Sequence, residues 1–197
     1  MRLTDGHCEL LIATRNGMAI RIDENSARPL SRSARGVRAI RLRDGDEIAG
    51  MARLREGATV MTVTDRGQGR RSEISDYKLQ SRGGKGKINY KVNDIKGYVC
   101  GIKVVDENDD LILISNDGVI IRIRVSDVNV MSRYASGVRV MRLMNEDSRV
   151  VTFARAEHDE DEEVAEVEKP TEEEIIEPVE EDDDDEPILE EEPETEE

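Results

Sequence analysis

The sequence is poor in the residues that most enzymes and base-stacking proteins rely on. It has no tryptophan, one phenylalanine and four tyrosines in 197 residues. A protein that stacks single-stranded bases would use more aromatic faces. Histidine occurs twice, as His7 near the start and His158 at the edge of an acidic segment. Neither sits among the convergent partners that acid/base or nucleophilic catalysis requires, so no catalytic residue is expected here. The two cysteines, Cys8 and Cys100, are too few for a disulfide framework and lack CxxC metal spacing, which predicts reduced, buried thiols in a reducing compartment. No apolar run approaches the ~20 residues of a membrane span, and the first residues lack the apolar stretch of a signal peptide. A cytoplasmic protein with no membrane partner is expected.

Charge is abundant but unevenly placed. Of 45 acidic residues, 25 lie from Glu157 onward, where Lys169 is the only cation. The body, residues 1–156, is therefore near +8 and the tail near −24, against a whole-chain charge of −16. A basic body joined to an acidic tail is expected of a protein that meets polyanions. The tail carries Pro170, Pro178, Pro187 and Pro193 and the run 182–185 of four aspartates. It cannot bury enough apolar surface to order itself, so residues 157–197 are expected to be disordered. Such a tail serves solubility or, as a tethered polyanion, competes with DNA for the basic body.

The body is repetitive. Gln80-Ser81-Arg82-Gly83-Gly84-Lys85-Gly86 puts two cations and three glycines into seven residues, an exposed loop whose amides and cations can face a phosphate chain. The loop recurs 50 positions earlier as Ser31–Gly36 and 51 later as Ser132–Gly137. Gly17, Gly67 and Gly118 keep the same spacing. The repeats run over about 9–54, 58–105 and 110–156. Each reads as four short strands: for the first, Glu9–Thr14, Met18–Ile22, Val37–Leu42 and Glu47–Leu54. The Asn16-Gly17 pair between apolar runs predicts a hairpin with a type I′ turn. In the second repeat the strand after the loop is Ile88–Val92, and in the third it is Val138–Leu143. A period near 50 made of four strands is the signature of a propeller-like array, one repeat per blade.

Cations recur in the same loop of each repeat: Arg28, Arg32, Arg35 and Arg38; Lys78, Arg82, Lys85 and Lys87; Arg133 and Arg139. Blades set around an axis would align these loops into a curved basic stripe, suited to a duplex wrapped around the outside through phosphate contacts. A propeller-type interaction module whose basic loops bind an acidic protein is the alternative from a different class.

Residues 80–86 resemble the gyrase A box, Gln-Arg-Arg-Gly-Gly-Lys/Arg-Gly, and their setting among 50-residue β repeats ahead of an acidic end resembles the C-terminal domain of the DNA gyrase A subunit. Gln80, Arg82, Gly83, Gly84, Lys85 and Gly86 match the box; Ser81 stands where it has arginine. The resemblance implies an all-β fold, a β-pinwheel whose blades exchange strands: about three four-stranded blades of a larger disc, with the disordered acidic tail. It implies duplex DNA as partner, wrapped to support negative supercoiling by an ATP-dependent type II topoisomerase. It also implies assembly, in a heterotetramer on the bacterial chromosome, with the rest of the gyrase A subunit, together with the gyrase B subunit. ATP and Mg²⁺ are expected in that holoenzyme and no cofactor in this stretch. Because the family's full box belongs to the first blade, residues 80–86 are expected to be a degenerate copy and the chain a fragment that begins part-way through the disc. The A-type subunit of topoisomerase IV, which acts in decatenation, is the competing reading within the family.

Overall fold

The computed structural model describes residues 3–158, so the expected disorder of the acidic tail lies almost wholly outside the described residues. Eleven strands form three antiparallel sheets, and no α-helix occurs among the described residues. In chain order they are β1 (Glu9–Thr14), β2 (Met18–Asp23), β3 (Ile48–Arg53), β4 (Thr59–Thr64), β5 (Gln68–Glu73) and β6 (Lys87–Ile88). They continue with β7 (Val99–Val105), β8 (Asp109–Ser115), β9 (Ile120–Arg124), β10 (Val138–Arg139) and β11 (Val150–Glu157). The sheet orders are β3-β1-β2-β6, β10-β5-β4-β7 and β11-β8-β9.

Each repeat opens with a hairpin built alike. Gly17, Gly67 and Gly118 donate their amides to the carbonyls of Thr14, Thr64 and Ser115 at 3.1, 3.1 and 3.2 Å. The hydroxyls of the same three residues accept from the amides of Met18, Gln68 and Val119. The hairpins match expectation but the turn type does not. A type I′ turn needs positive φ at both central residues, whereas among the described residues only glycines have positive φ, and in this turn Gly17 alone takes it, at +81°. The turn over Arg15-Asn16 is an ordinary one followed by a left-handed glycine, the three-residue hairpin loop.

The strand after each loop is where the repeat-by-repeat reading fails. β6 pairs with β2, Met18 opposite Ile88 and Ala19 opposite Lys87, and β10 pairs with β5, Gly69 opposite Val138 and Gln68 opposite Arg139. Both strands belong to the sheet of the preceding repeat, so the first two sheets have four strands only by exchange. The ladders are also short: β6 and β10 are two residues each, in place of the longer strands expected over Ile88–Val92 and Val138–Leu143. Val37–Leu42 forms no strand, because no sheet among the described residues precedes it. The third sheet likewise has three strands, not four, among the described residues.

The sheets stack side by side, with β3 against β7 and β7 against β11. These are the strands farthest from the exchanged ones, so the contact runs along the inner side and the loops entering β6 and β10 lie on the outer side. Alternation along β1 sends Leu11 and Ala13 into a cluster with Ala52, Val60, Tyr77 and Ile102 between the first two sheets. Ile12 joins Ile20, Ile22 and Ile40 on the opposite face. Between the second and third sheets, Met61, Val63, Val105, Leu111, Leu113, Ile123 and Phe153 form the largest cluster. Both cysteines are free; Cys8 is buried, and Cys100 is half-buried with its thiol pushed up to about 12 by burial.

Two outcomes follow. Leu113 is fully buried, and Leu113→Ala should lower stability by about 2–5 kcal/mol in urea titration. Glu24 accepts the Cys8 amide at 2.7 Å, and that bond holds its carboxyl down at about 2 against a usual 4.5. A depressed carboxylate contributes stability that is fully present above the unfolded value of 4.5 and lost as pH falls toward 2. Glu24→Gln should therefore flatten the acid limb of a stability profile between those values, with its full loss of stability at neutral pH and little effect near pH 2.

Candidate nucleic-acid interface

The glycine-rich loop at 80–86 is fastened to its neighbours through its backbone. The Gln80 amide donates to Arg21 O at 2.8 Å, the Gly83 amide to Ala39 O at 2.6 Å, and the Arg41 amide to Gly84 O at 2.8 Å. Gly86 takes φ of +76°, and a Cβ there would lie 2.5 Å from Ala19 O, so only glycine lets the chain enter β6 this close to β2. The loop of the second repeat is thereby laid on the loop segment of the first.

That placement brings cations of two repeats together. Arg82 donates through Nε to Ser26 O at 2.9 Å and through Nη1 to Arg38 O at 3.4 Å, yet stays exposed. Lys85 lines a shallow groove of about 350 Å³ with Arg41, Leu42, Arg43 and Asp44. Lys87 is exposed on β6. Arg28, Arg32, Arg35 and Arg38 are also exposed, and among the described residues none is ion-paired. Arg41 and Arg43 are not among the expected binding residues, since Arg41 falls in the expected strand Val37–Leu42 and Arg43 just beyond its end. The recurrence of basic residues immediately after the loop was their only sequence signal.

The third loop is held differently. The Arg133 guanidinium donates to Ile88 O and the Tyr134 hydroxyl and lies 4.5 Å from the Tyr134 ring centre, and the residue is half-buried. Arg139 is exposed on β10. Behind this loop sits Arg70, a fully buried arginine on β5 with no carboxylate partner among the described residues. It donates to Ser72 Oγ at 2.9 Å, to Arg133 O, to Ala135 O at 3.1 Å and to both oxygens of Asn89. Its guanidinium also lies 5.0 Å from the Tyr90 ring centre. Tyr90 donates to Ser136 O, and Tyr77 to Asn89 Oδ1 at 2.7 Å. Burial pushes Tyr90 up to about 12, so both its proton and its hydrogen bond are kept. This network joins the exit of the second loop to the third loop. The strand reading passed over it, although Arg70 stands where the other repeats carry Ile20 and Ile121.

The expected site residues thus divide. Arg82, Gly83, Gly84, Lys85 and Gly86 meet the Arg38–Arg43 segment in one strip, Gln80 anchors its start, and Arg32 and Arg35 extend from the preceding loop. Arg133 lies half-buried in the third. Asp5, Cys8 and Glu24 bring ligand atoms within 4.8 Å of one another. However, Glu24 is spent on the Cys8 amide, and burial raises the thiol above its usual value, a poor state for holding a metal. No helix among the described residues is long and apolar enough to cross a membrane.

Three antiparallel sheets joined by exchanged strands, with basic glycine-bearing loops on the outer side, define a β-pinwheel. The family described as DNA gyrase C-terminal domain, beta-propeller, matches residues 9–55, 58–104 and 109–157, and the chain belongs to it. Among curated proteins, the DNA gyrase A subunit of Staphylococcus aureus (strain MRSA252) is 41% identical over 165 residues, which is 83% of this chain and 18% of that protein. Its counterpart in strain NCTC 8325 / PS 47 is 40% identical over 173 residues, 87% of this chain and 19% of that one. The chain therefore spans under a fifth of these relatives. Of solved structures, the C-terminal domain of a DNA topoisomerase IV superposes with a TM-score of 0.74 at 25% identity, over 79% of this chain and 49% of that one. A DNA gyrase A C-terminal domain gives 0.72 at 22% identity, over 78% and 52%.

Arg70 yields a prediction. Arg70→Ala leaves the buried carbonyls of Asn89, Arg133 and Ala135 without this donor and should destabilise the protein by on the order of 3 kcal/mol in denaturant titration. Arg70→Lys should rescue little of this, since one ammonium cannot reproduce the planar fork that serves several acceptors.

Proposed function

We propose that this chain binds duplex DNA along its outer basic loops and wraps it, as part of a gyrase A subunit. The observation that carries the reading is the strip where Arg38, Arg41 and Arg43 of one repeat meet Arg82, Lys85 and Lys87 of the next. Cations spaced along a fixed scaffold neutralise successive phosphates without reading bases. The scarcity of aromatics agrees, since a paired duplex offers no free base faces. Sharp bending of a 20–30 bp site costs roughly 1–6 kcal/mol, more than one loop's contacts offset, whereas a row of loops can.

On this reading the wrap is made with the remainder of the gyrase A subunit, together with the gyrase B subunit, and it biases strand passage toward negative supercoiling. ATP and Mg²⁺ belong to the holoenzyme, and we assign neither to residues of this chain. Arg32 and Arg35 lead the duplex in, the 80–86 strip carries it, and Arg139 leads it out. The bacterial cytoplasm is the corresponding compartment.

The test is fluorescence anisotropy with duplexes of increasing length over a salt series. Affinity should rise with length, with a log–log salt slope of about −0.9 per phosphate contact. Lys85→Ala, Arg41→Ala and Arg43→Ala should each reduce the slope by about 1 without base preference. Equal, weak binding of short and long duplexes would overturn the reading and favour an acidic protein as ligand. Removal of residues 159–197, which spares β11, should tighten binding at low salt if the tail competes for the strip.

A further inference from the structure

The two junctions between loops present the same pair of carbonyls but fill them with different donors. At the first, the loop of the second repeat lies directly on the loop segment of the first: Gly83 N donates to Ala39 O at 2.6 Å and Arg41 N to Gly84 O at 2.8 Å. At the second junction the repeat spacing carries Ala39 to Asn89 and Gly84 to Ala135. Among the described residues no backbone amide reaches either of those carbonyls. The Arg70 guanidinium serves both, Asn89 O through Nη2 and Ala135 O through Nη1, the latter at 3.1 Å.

The amides that would have made the direct bonds are diverted or idle. Tyr134 N, the counterpart of Gly83 N, turns to Ser132 Oγ of its own loop at 3.3 Å. Lys91 N, the counterpart of Arg41 N, makes no backbone hydrogen bond among the described residues. The side chain beneath the loop accounts for the change. At the first junction it is Ile20, whose Cδ1 lies 3.7 Å from a Cβ built on Gly84; at the second, Arg70 stands in its place. Isoleucine offers no donor, so the loops bond each other. Arginine offers several, and a fully buried one must place them. Two hydrogen bonds and the width of a guanidinium then separate segments that a single hydrogen bond joins at the first junction. Other bonds hold the third loop at that spacing: Met131 N to Arg71 O at 2.9 Å, Arg133 N to Asp76 Oδ2 at 3.0 Å and Lys96 Nζ to Ser136 Oγ at 2.8 Å.

We propose that Arg70 is a positioning residue for bound DNA, a role that rests on the reading of these loops as a duplex-binding surface. It holds the third loop off the second, so the step between these two loops is wider than the step between the first and second. Being fully buried, Arg70 itself touches no phosphate. It acts through the loop carbonyls, by fixing where along the bend the next phosphate is met, and the cost of bending depends on how sharply the duplex turns between contacts. Isoleucine at this position, as in the other two repeats, frees Asn89 O for the Tyr134 amide and Ala135 O for the Lys91 amide. The third loop then settles onto the second as the second does onto the first.

The test begins with amide hydrogen exchange, read by NMR on the full chain without DNA. In the wild type the Gly83 and Arg41 amides should be protected and the Tyr134 and Lys91 amides open, a pattern that needs no variant. In Arg70→Ile the Tyr134 and Lys91 amides should become protected while the other two are unchanged. Arg70→Met, whose flexible apolar chain fills irregular space, should give the same result and serves where isoleucine fails to fold. A merely structural arginine would, on removal, speed exchange across the junction and protect neither amide. With DNA, the variants should keep the wild-type salt slope, since no phosphate contact is lost, yet shift the energy transfer between dyes on the two ends of a bound duplex. Protected Tyr134 and Lys91 amides in the wild type, or a folded variant in which both stay open or the transfer does not move, would overturn the proposal. A wild-type chain with the stated exchange pattern that binds no duplex would overturn the DNA reading and keep the loop spacing.

Discussion

The structure depends on the surrender of one strand by the second and third repeats, each to the sheet before it. The exchanged ladders are two residues long, and each backbone hydrogen bond nets only about 1 kcal/mol. Pairing alone would not hold them. The junction is held because the chain on both sides is pinned: at its entry by a glycine that approaches a carbonyl no other residue could tolerate, and at its exit by two amides sharing one turn carbonyl. Apolar contact then seals it, as where Ile40 covers one face of the first sheet.

That constraint also decides where charge can go. The inner strands are consumed by contact between sheets, and the faces by the apolar clusters, which leaves the loops entering the outer strands as the free basic surface. Arginine on this framework does two jobs. At Arg21 it ties the first sheet to carbonyls of Ile74 and Tyr77 in the next repeat at 3.1 and 2.9 Å while meeting Glu9. At Arg32 and Arg35 it is exposed and unpaired among the described residues. Burial distinguishes the two, and sequence recurrence does not.

Much of this was legible beforehand. Glycine spacing revealed three repeats, and the hairpins fell where expected. Strand partnership was not legible in the repeat period, which looks the same whether a strand pairs within its own unit or with the one before; only the resemblance implied the exchange that the sheets show. The turn type was misjudged because Asn-Gly serves two hairpin geometries, and only the backbone reports which residue is left-handed. How the third loop is fastened was not legible, because the recurrence of basic loops says nothing of the Arg70 and Tyr90 hydrogen bonds to its carbonyls.

The exchange has a direction. The first sheet owes its outer strand to the second repeat and the second sheet owes its own to the third, while nothing passes the other way along this ladder. Injury is therefore inherited upstream. A lesion in the loop at 132–137 strips an edge from the second sheet, but a lesion at 31–36 leaves every strand of the later sheets with its partner. Integrity flows against the order of synthesis: a nascent chain has its first sheet incomplete until residue 88 has emerged, and its second until residue 139.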